Sequence, residues 1–234
     1  MDTYKKFLFF DIETTGKYDS FKSFLEEDPR GALTFEKKWN RMKFNNTQNN
    51  NWNCDIERAW RNNSPLMAEF GLIVCLSYGF VNPKTDKMIV KSVFIKDNNE
   101  TELLKKIAEI FNKISELFLI PTGHNIKGFD VPYIVKKMMM HGIKIPGPLY
   151  TYNKKPWEVS LIDTAEVWKG LAWENTSLDE ITYALNVPSP KDNLDGAHVF
   201  EMYWDIGDIQ QIVEYCEKDV FALYDICEKI YKTL

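Results

Sequence analysis

Residues Lys6 to Ile12 form a short apolar run that ends in acids, within KFLFFDIETTG, and this run constrains the chain most. It reads as a buried strand. Phe70 to Val81 and Lys87 to Ile95 are two more strand-like runs. The turn-like VNPKTDK between them suits a hairpin. Glu102 to Leu117 then places Leu103, Leu104, Ile107, Ile110, Phe111 and Ile114 at helical spacing. Phe118 to Thr122 is expected to be a fourth strand, and Gly128 to Met140 a helix whose Met138 to Met140 pack in the core. Val159 to Ile162 is a shorter strand leading into a helix near Thr164. Ser177 to Leu185 is a short helix with Ser177 as N-cap and Glu180 three residues on. The last helix is the clearest, with Ile209, Ile212, Val213, Cys216, Val220, Leu223, Ile226 and Ile230 on one face and Asp208 near its N-terminus. Strands first, then alternation with helices, give an α/β sandwich. Residues Lys17 to Pro65 break this pattern and read as an insertion after the first strand, with the Asn-rich FNNTQNNNWN and Trp39, Trp52 and Trp60.

The 234 residues fit one domain spanning 1–234, with the insertion at 17–65. A net charge of −5 argues against coating nucleic acid by general attraction, but not against an acidic cluster neutralised by bound metal. Cys54, Cys75, Cys216 and Cys227 form no C-x-x-C pair, and His124, His141 and His198 have no zinc-site spacing. Cys75, Cys216 and Cys227 read as buried free thiols, which points to a reducing compartment. The N-terminal MDTYKKFLFF is too short for a signal peptide, and no apolar run reaches the length of a membrane span. A soluble, cytoplasmic protein with no membrane partner is expected.

Three segments offer acids that a common cleft could collect. In FFDIETTG, Asp11 and Glu13 are two apart on a strand and project from one face, where they repel unless a cation is bound. In GHNIKGFDVPYI, Asn125 and Asp130 follow the fourth strand. In YCEKDVFAL, Tyr215 and Asp219 are four apart on one helix face. Taken singly, each has a plainer reading: a solvated strand end, an acid favouring a helix dipole, a polar pair on a helix surface. Asp163 in LIDTAE reads as a helix cap, and His124 suits either a packed or a cleft-lining histidine.

Together, D-x-E, N-x-x-x-x-D and Y-x-x-x-D in this order resemble the DEDD superfamily of 3′-to-5′ exonucleases, and the tyrosine marks its DEDDy branch. The wording is most similar to stand-alone predicted exonucleases related to the proofreading domain of family B DNA polymerases, over residues 7 to 226. The resemblance implies an RNase H-like fold, with a mixed five-stranded sheet flanked by helices. It implies that Asp11, Glu13, Asp130 and Asp219 hold two divalent ions, Mg²⁺ or Mn²⁺, that Asp11 bridges them, and that Tyr215 orients the attacking water. Thr14, Asn125, Phe129 and Lys191 would contact the substrate, with Phe129 and Tyr133 flanking the terminal base and Lys191 touching a phosphate. The expected substrate is single-stranded DNA in preference to RNA, hydrolysed from its 3′ end to nucleoside 5′-monophosphates. An exoribonuclease and a non-catalytic nucleic-acid-binding module are the alternatives, and any polymerase or repair partner is left open. The insertion carries Lys37, Lys38, Arg41, Lys43, Arg58 and Arg61 among its tryptophans. It is expected either to handle the substrate strand or to close a small satellite core around them.

Overall fold

The run that opens the chain is the middle strand of a sheet. The computed structural model describes residues 3–45, 54–155, 158–189 and 196–233. Among these, β1 (Phe7–Gly16), β2 (Gly71–Asn82), β3 (Lys87–Phe94), β4 (Ile120–Gly123) and β5 (Ile162–Asp163) form one mixed sheet in the order β3-β2-β1-β4-β5. β2 is antiparallel to β1 and β3, whereas β4 is parallel to β1 and β5 to β4. This is the five-stranded α/β arrangement expected from the sequence.

Period-two alternation sorts β1 between two layers. Leu8, Phe10 and Ile12 face the core made with α4 (Glu100–Glu116) and α5 (Asp130–Met140). There the Phe10 and Phe111 rings meet edge to face at 5.2 Å. Phe7 and Phe9 face Val220, Leu223 and Cys227 of α9 (Ile209–Tyr231). The residues of β2 opposite Phe9, Asp11 and Glu13 are Gly79, Ser77 and Cys75, all small. A Cβ at Gly79 would lie 2.3 Å from Met88 Cε, 3.0 Å from the Ile89 carbonyl and 3.1 Å from Val220, so glycine here leaves room for β3 and for the close approach of α9.

The connections mostly follow the sequence reading. The capping box of α7 (Leu178–Leu185) forms through Ser177 and Glu180, and Asp208 caps α9 by accepting from Gln211. α6 (Thr164–Lys169) starts where a helix was expected. The fourth strand begins later than expected. Phe118 is exposed and turns the chain with φ 53°, so pairing starts only at Ile120. The fifth strand keeps only Ile162 and Asp163, with Val159 to Leu161 outside the ladder.

The insertion supplies α1 (Phe21–Glu27), α2 (Pro29–Asn45) and α3 (Ile56–Asn63). They close a second core from Phe21, Phe24, Phe35, Trp39 and Trp60, joined by Phe70 and by Phe200 of α8 (Val199–Glu201). Trp39 and Trp60 therefore point inward, and the satellite-core alternative holds for both. Trp52 lies outside the described residues. Gly16 is still paired in β1, opposite Gly71. Its need for glycine is spatial, since a Cβ there would come within 2.4 Å of Ser64 Oγ and 2.8 Å of the Phe200 ring.

Candidate active site

β1 continues past Ile12, so Asp11 and Glu13 are held in a paired strand and not on a loose end. The register shifts directly after Glu13, where β2 carries an extra residue, and such bulges re-aim side chains beside functional sites. Both carboxylates extend the face on which Phe7 and Phe9 meet α9. The thiol of Cys216 on α9 donates to the Asp11 carbonyl at 3.4 Å and to Asp11 Oδ2 at 3.5 Å. Carboxylate oxygens of Asp11 and Glu13 and the Cys216 sulfur all lie within 4.8 Å of one another.

Two further acids border this group. Asp130 is the first residue of α5 and is buried, and its Oδ1 accepts the backbone N–H of Ile12 at 3.2 Å. That bond ties the start of α5 to the strand between Asp11 and Glu13. Asp219 is buried on α9, one helical turn from the buried Tyr215, so both sit on the face that covers the sheet.

The electrostatics are those of crowded, dry acids. Burial pushes the Asp11 carboxyl well above its usual range, and the charges of Asp219, Asp130 and Glu13 push it further, against a partial offset from the Cys216 thiol. Burial raises Glu13 well above its range, followed by Asp219, Cys75 and Asp130. Burial raises Asp130 to about 7, with Asp163 and Asp219 adding to it and backbone hydrogen bonds opposing. Burial also holds the Cys216 thiol well above its usual value, so it serves as a neutral donor to Asp11. Buried carboxylates that raise one another's pKa form a site that a divalent cation would relieve. Oxygen-rich donors fit Mg²⁺ or Mn²⁺ better than a softer ion.

Asp163 is buried and caps α6 by accepting from Ala165, but it also grips the preceding loop. Its carboxylate accepts from the backbone N–H of Asn125 at 2.8 Å and of Lys127 at 3.0 Å. It thereby fixes the loop that leads into Asp130. Asn125 is exposed, with φ 56°. Phe129 is half-buried, its ring 5.3 Å from that of Tyr133. Tyr133 is buried, its hydroxyl close beside Gly71. His124 packs its Nδ1 3.0 Å from Thr164 Oγ1, and burial lowers its pKa. Thr14 is buried and commits its hydroxyl to the Pro65 carbonyl at 2.9 Å. Lys191 lies outside the described residues.

The structure thus brings Asp11, Glu13, Asp130, Asp219 and Tyr215 into one region and sets Thr14 into the packing beneath the insertion. Sequence reasoning took Cys216 for a buried free thiol on the apolar stripe of the last helix. Its place directly after Tyr215 and three before Asp219 was the available signal.

A family described as predicted 3′-5′ exonuclease related to the exonuclease domain of PolB matches residues 66–231. The match begins where the insertion ends and contains Asp130, Tyr215 and Asp219. Asp11 and Glu13 precede it and join the other acids through the pairing of β1 with β2 and the contact with Cys216. No curated protein matches the sequence.

Proposed function

The chain belongs to the family of predicted 3′-5′ exonucleases related to the exonuclease domain of PolB, and from that premise we propose that it hydrolyses single-stranded DNA from the 3′ end. The products are nucleoside 5′-monophosphates. The whole chain acts as one exonuclease domain, with residues 17–65 as an elaboration of it. The observation that carries this reading is the convergence of the half-buried Asp11 with the buried Glu13, Asp130 and Asp219 from β1, α5 and α9.

Asp11, Glu13, Asp130 and Asp219 would hold two divalent ions, Mg²⁺ or Mn²⁺. Bound there, the ions supply a deprotonated water and a stabilised leaving oxygen, the two needs of phosphodiester hydrolysis. The Tyr215 hydroxyl orients the water for attack on the last phosphorus, and the 3′ oxygen of the preceding nucleotide leaves. Cys216 fixes the rotamer of Asp11 by donating to it. Asp163 holds the loop carrying Asn125 and Phe129, which contact the terminal nucleotide. Thr14 and Lys191 complete the proposed substrate contacts, the former through its backbone.

The test is digestion of 5′-labelled single-stranded DNA, with duplex DNA and single-stranded RNA alongside, in Mg²⁺, Mn²⁺ or EDTA. A ladder shortening one nucleotide at a time, lost in EDTA, is expected on single-stranded DNA. A ladder confined to RNA would replace the substrate, and binding without cleavage in every metal would replace the enzyme by a binding module.

A further inference from the structure

Trp39 and Trp60 part from three cations of the insertion on folding. Trp39 and Trp60 go to the satellite core, together with Ala32 and Phe35 of α2. On the opposite side of α2, Arg30, Leu33, Lys37, Arg41 and Phe44 are exposed. At about 100° per residue these five fall within roughly 80° of arc, along about 21 Å of helix. Phe44 is 79% exposed and Leu33 50%, so this face offers apolar surface as well as charge.

Three other cations of the insertion are paired with acids. Lys38 reaches Glu69 at 3.4 Å, Lys22 reaches Glu26 at 4.0 Å, and Arg61 pairs with Asp205. Arg30, Lys37 and Arg41 have no carboxylate at ion-pair distance among the described residues. α2 as a whole carries Arg30, Lys37, Lys38, Arg41 and Lys43 against the single acid Glu36, in a chain whose net charge is −5. Such a concentration of unneutralised charge marks a surface for a polyanion.

Resting on the exonuclease reading above, we propose that this face of α2 binds the single-stranded substrate away from the scissile bond. Arg30, Lys37 and Arg41 follow the phosphates, and Phe44 stacks on a base. Cations in line with an exposed aromatic are the features by which proteins hold single strands without reading sequence. The insertion is also anchored to the catalytic strand. The Thr14 hydroxyl of β1 donates to the Pro65 carbonyl at 2.9 Å, and Trp204, packed against the satellite core, donates through Nε1 to the Gly16 carbonyl at 2.9 Å. A strand held on α2 is therefore held by a body fixed to the end of β1.

The test compares wild type, Arg30→Glu/Lys37→Glu/Arg41→Glu, the milder Lys37→Gln/Arg41→Gln, and Phe44→Ala. Binding of a labelled thymidine oligonucleotide is followed by fluorescence anisotropy in EDTA over a range of salt. Hydrolysis of the p-nitrophenyl ester of thymidine 5′-monophosphate in Mn²⁺, a substrate too short to reach α2, reports on the catalytic centre. Charge reversal is expected to weaken oligonucleotide binding at least tenfold. Three lost phosphate contacts at about 0.7 each should cut the slope of log K against log salt by about 2. Lys37→Gln/Arg41→Gln should show a smaller change in the same sense. Phe44→Ala should weaken binding severalfold with the slope unchanged, and all variants should cleave the ester at the wild-type rate. Unchanged affinity and slope in all the variants would overturn the proposal. So would unchanged oligonucleotide binding together with lost binding to phosphatidylserine vesicles, which would assign the stripe to a membrane surface. A wild-type protein inert toward both ester and oligonucleotide would instead overturn the exonuclease reading beneath it.

Discussion

At the scale of single residues, the proposed function gives the acids and the tyrosine separable duties. Asp11 lies deepest in the mutual repulsion, since Asp219, Asp130 and Glu13 all act on it. Asp11→Asn keeps the shape and the capacity to accept from Cys216 while removing the charge that a cation needs. Losing several kcal/mol of charge stabilisation corresponds to about 10³-fold or more in rate, and single-turnover digestion should show a loss of that size. A wild-type rate in Asp11→Asn would refute the ion-binding role. Tyr215 is buried on the face of α9 that covers the sheet, so Tyr215→Phe removes a hydroxyl and leaves the ring packed. The expected result is a fall of about 10²-fold in kcat with KM nearly unchanged, the lower end of what a positioned proton-handling group contributes. A raised KM at constant kcat would make Tyr215 a substrate contact instead.

At the scale of elements, the walls of the site depend on one buried ion pair. Lys137 of α5 reaches Glu100 of α4 at 2.8 Å, with both side chains almost wholly buried. Lys137 also donates to the Gly71 carbonyl at 2.7 Å, and Glu100 accepts from the Ile73 N–H at 2.8 Å. The pair thus bolts α4 and α5 to β2, and α5 carries Asp130. Lys137→Met would take the lysine from the buried Glu100 carboxylate and leave it the Ile73 N–H at 2.8 Å and His141 at 3.0 Å. A stability loss of about 3–5 kcal/mol is expected by chemical denaturation. The double variant Lys137→Met/Glu100→Gln should recover part of it, and a Lys137→Met protein as stable as wild type would show that the pair is not holding the layers. Helices and strands with strong periodicity were legible in the sequence because their apolar faces are dictated by local spacing alone. α9, α4 and the β2–β3 hairpin are of this kind. β5 was legible only in outline, since two residues paired to β4 leave almost no alternation to read. The acids were legible through their order and spacing. The thiol donating to Asp11 and the grip of Asp163 on residues 125–127 were not, because each joins segments far apart in the chain. The interleaved pattern of the insertion did not show that Trp39 would face the satellite core while Arg30, Lys37 and Arg41 take the opposite side of α2.

At the scale of the whole molecule, the acidic site sets how stability depends on pH and on divalent ions. Burial and neighbouring acids raise the carboxyls of Asp11, Glu13 and Asp130 in the folded state, the last to about 7 from an ordinary 3.8. An acid whose folded pKa is raised prefers to keep its proton on folding. The stability it contributes is fully present below the unfolded pKa and is lost as pH rises through the folded pKa. For Asp130 that window runs from about 4 to about 7, and for Asp11 and Glu13 the loss likewise comes as pH climbs above the ordinary carboxylate range. In EDTA the thermal midpoint should therefore fall between pH 5 and pH 8. A loss on the order of a few kcal/mol corresponds to roughly 5–10 °C for a chain of this size. On the proposed reading divalent ions would compete with the protons for the same oxygens and bind only the folded state, so Mg²⁺ or Mn²⁺ should raise the midpoint, and more at pH 8 than at pH 5. Asp11→Asn should flatten the pH dependence in EDTA and remove most of the response to metal, because the charge that suffers repulsion is the charge that binds the ion. Calorimetry across pH, with and without Mn²⁺, reads both effects in one protein. A midpoint that rises steadily with pH in EDTA, or a metal response equal in wild type and Asp11→Asn, would mean that these carboxylates do not form the ion-binding site.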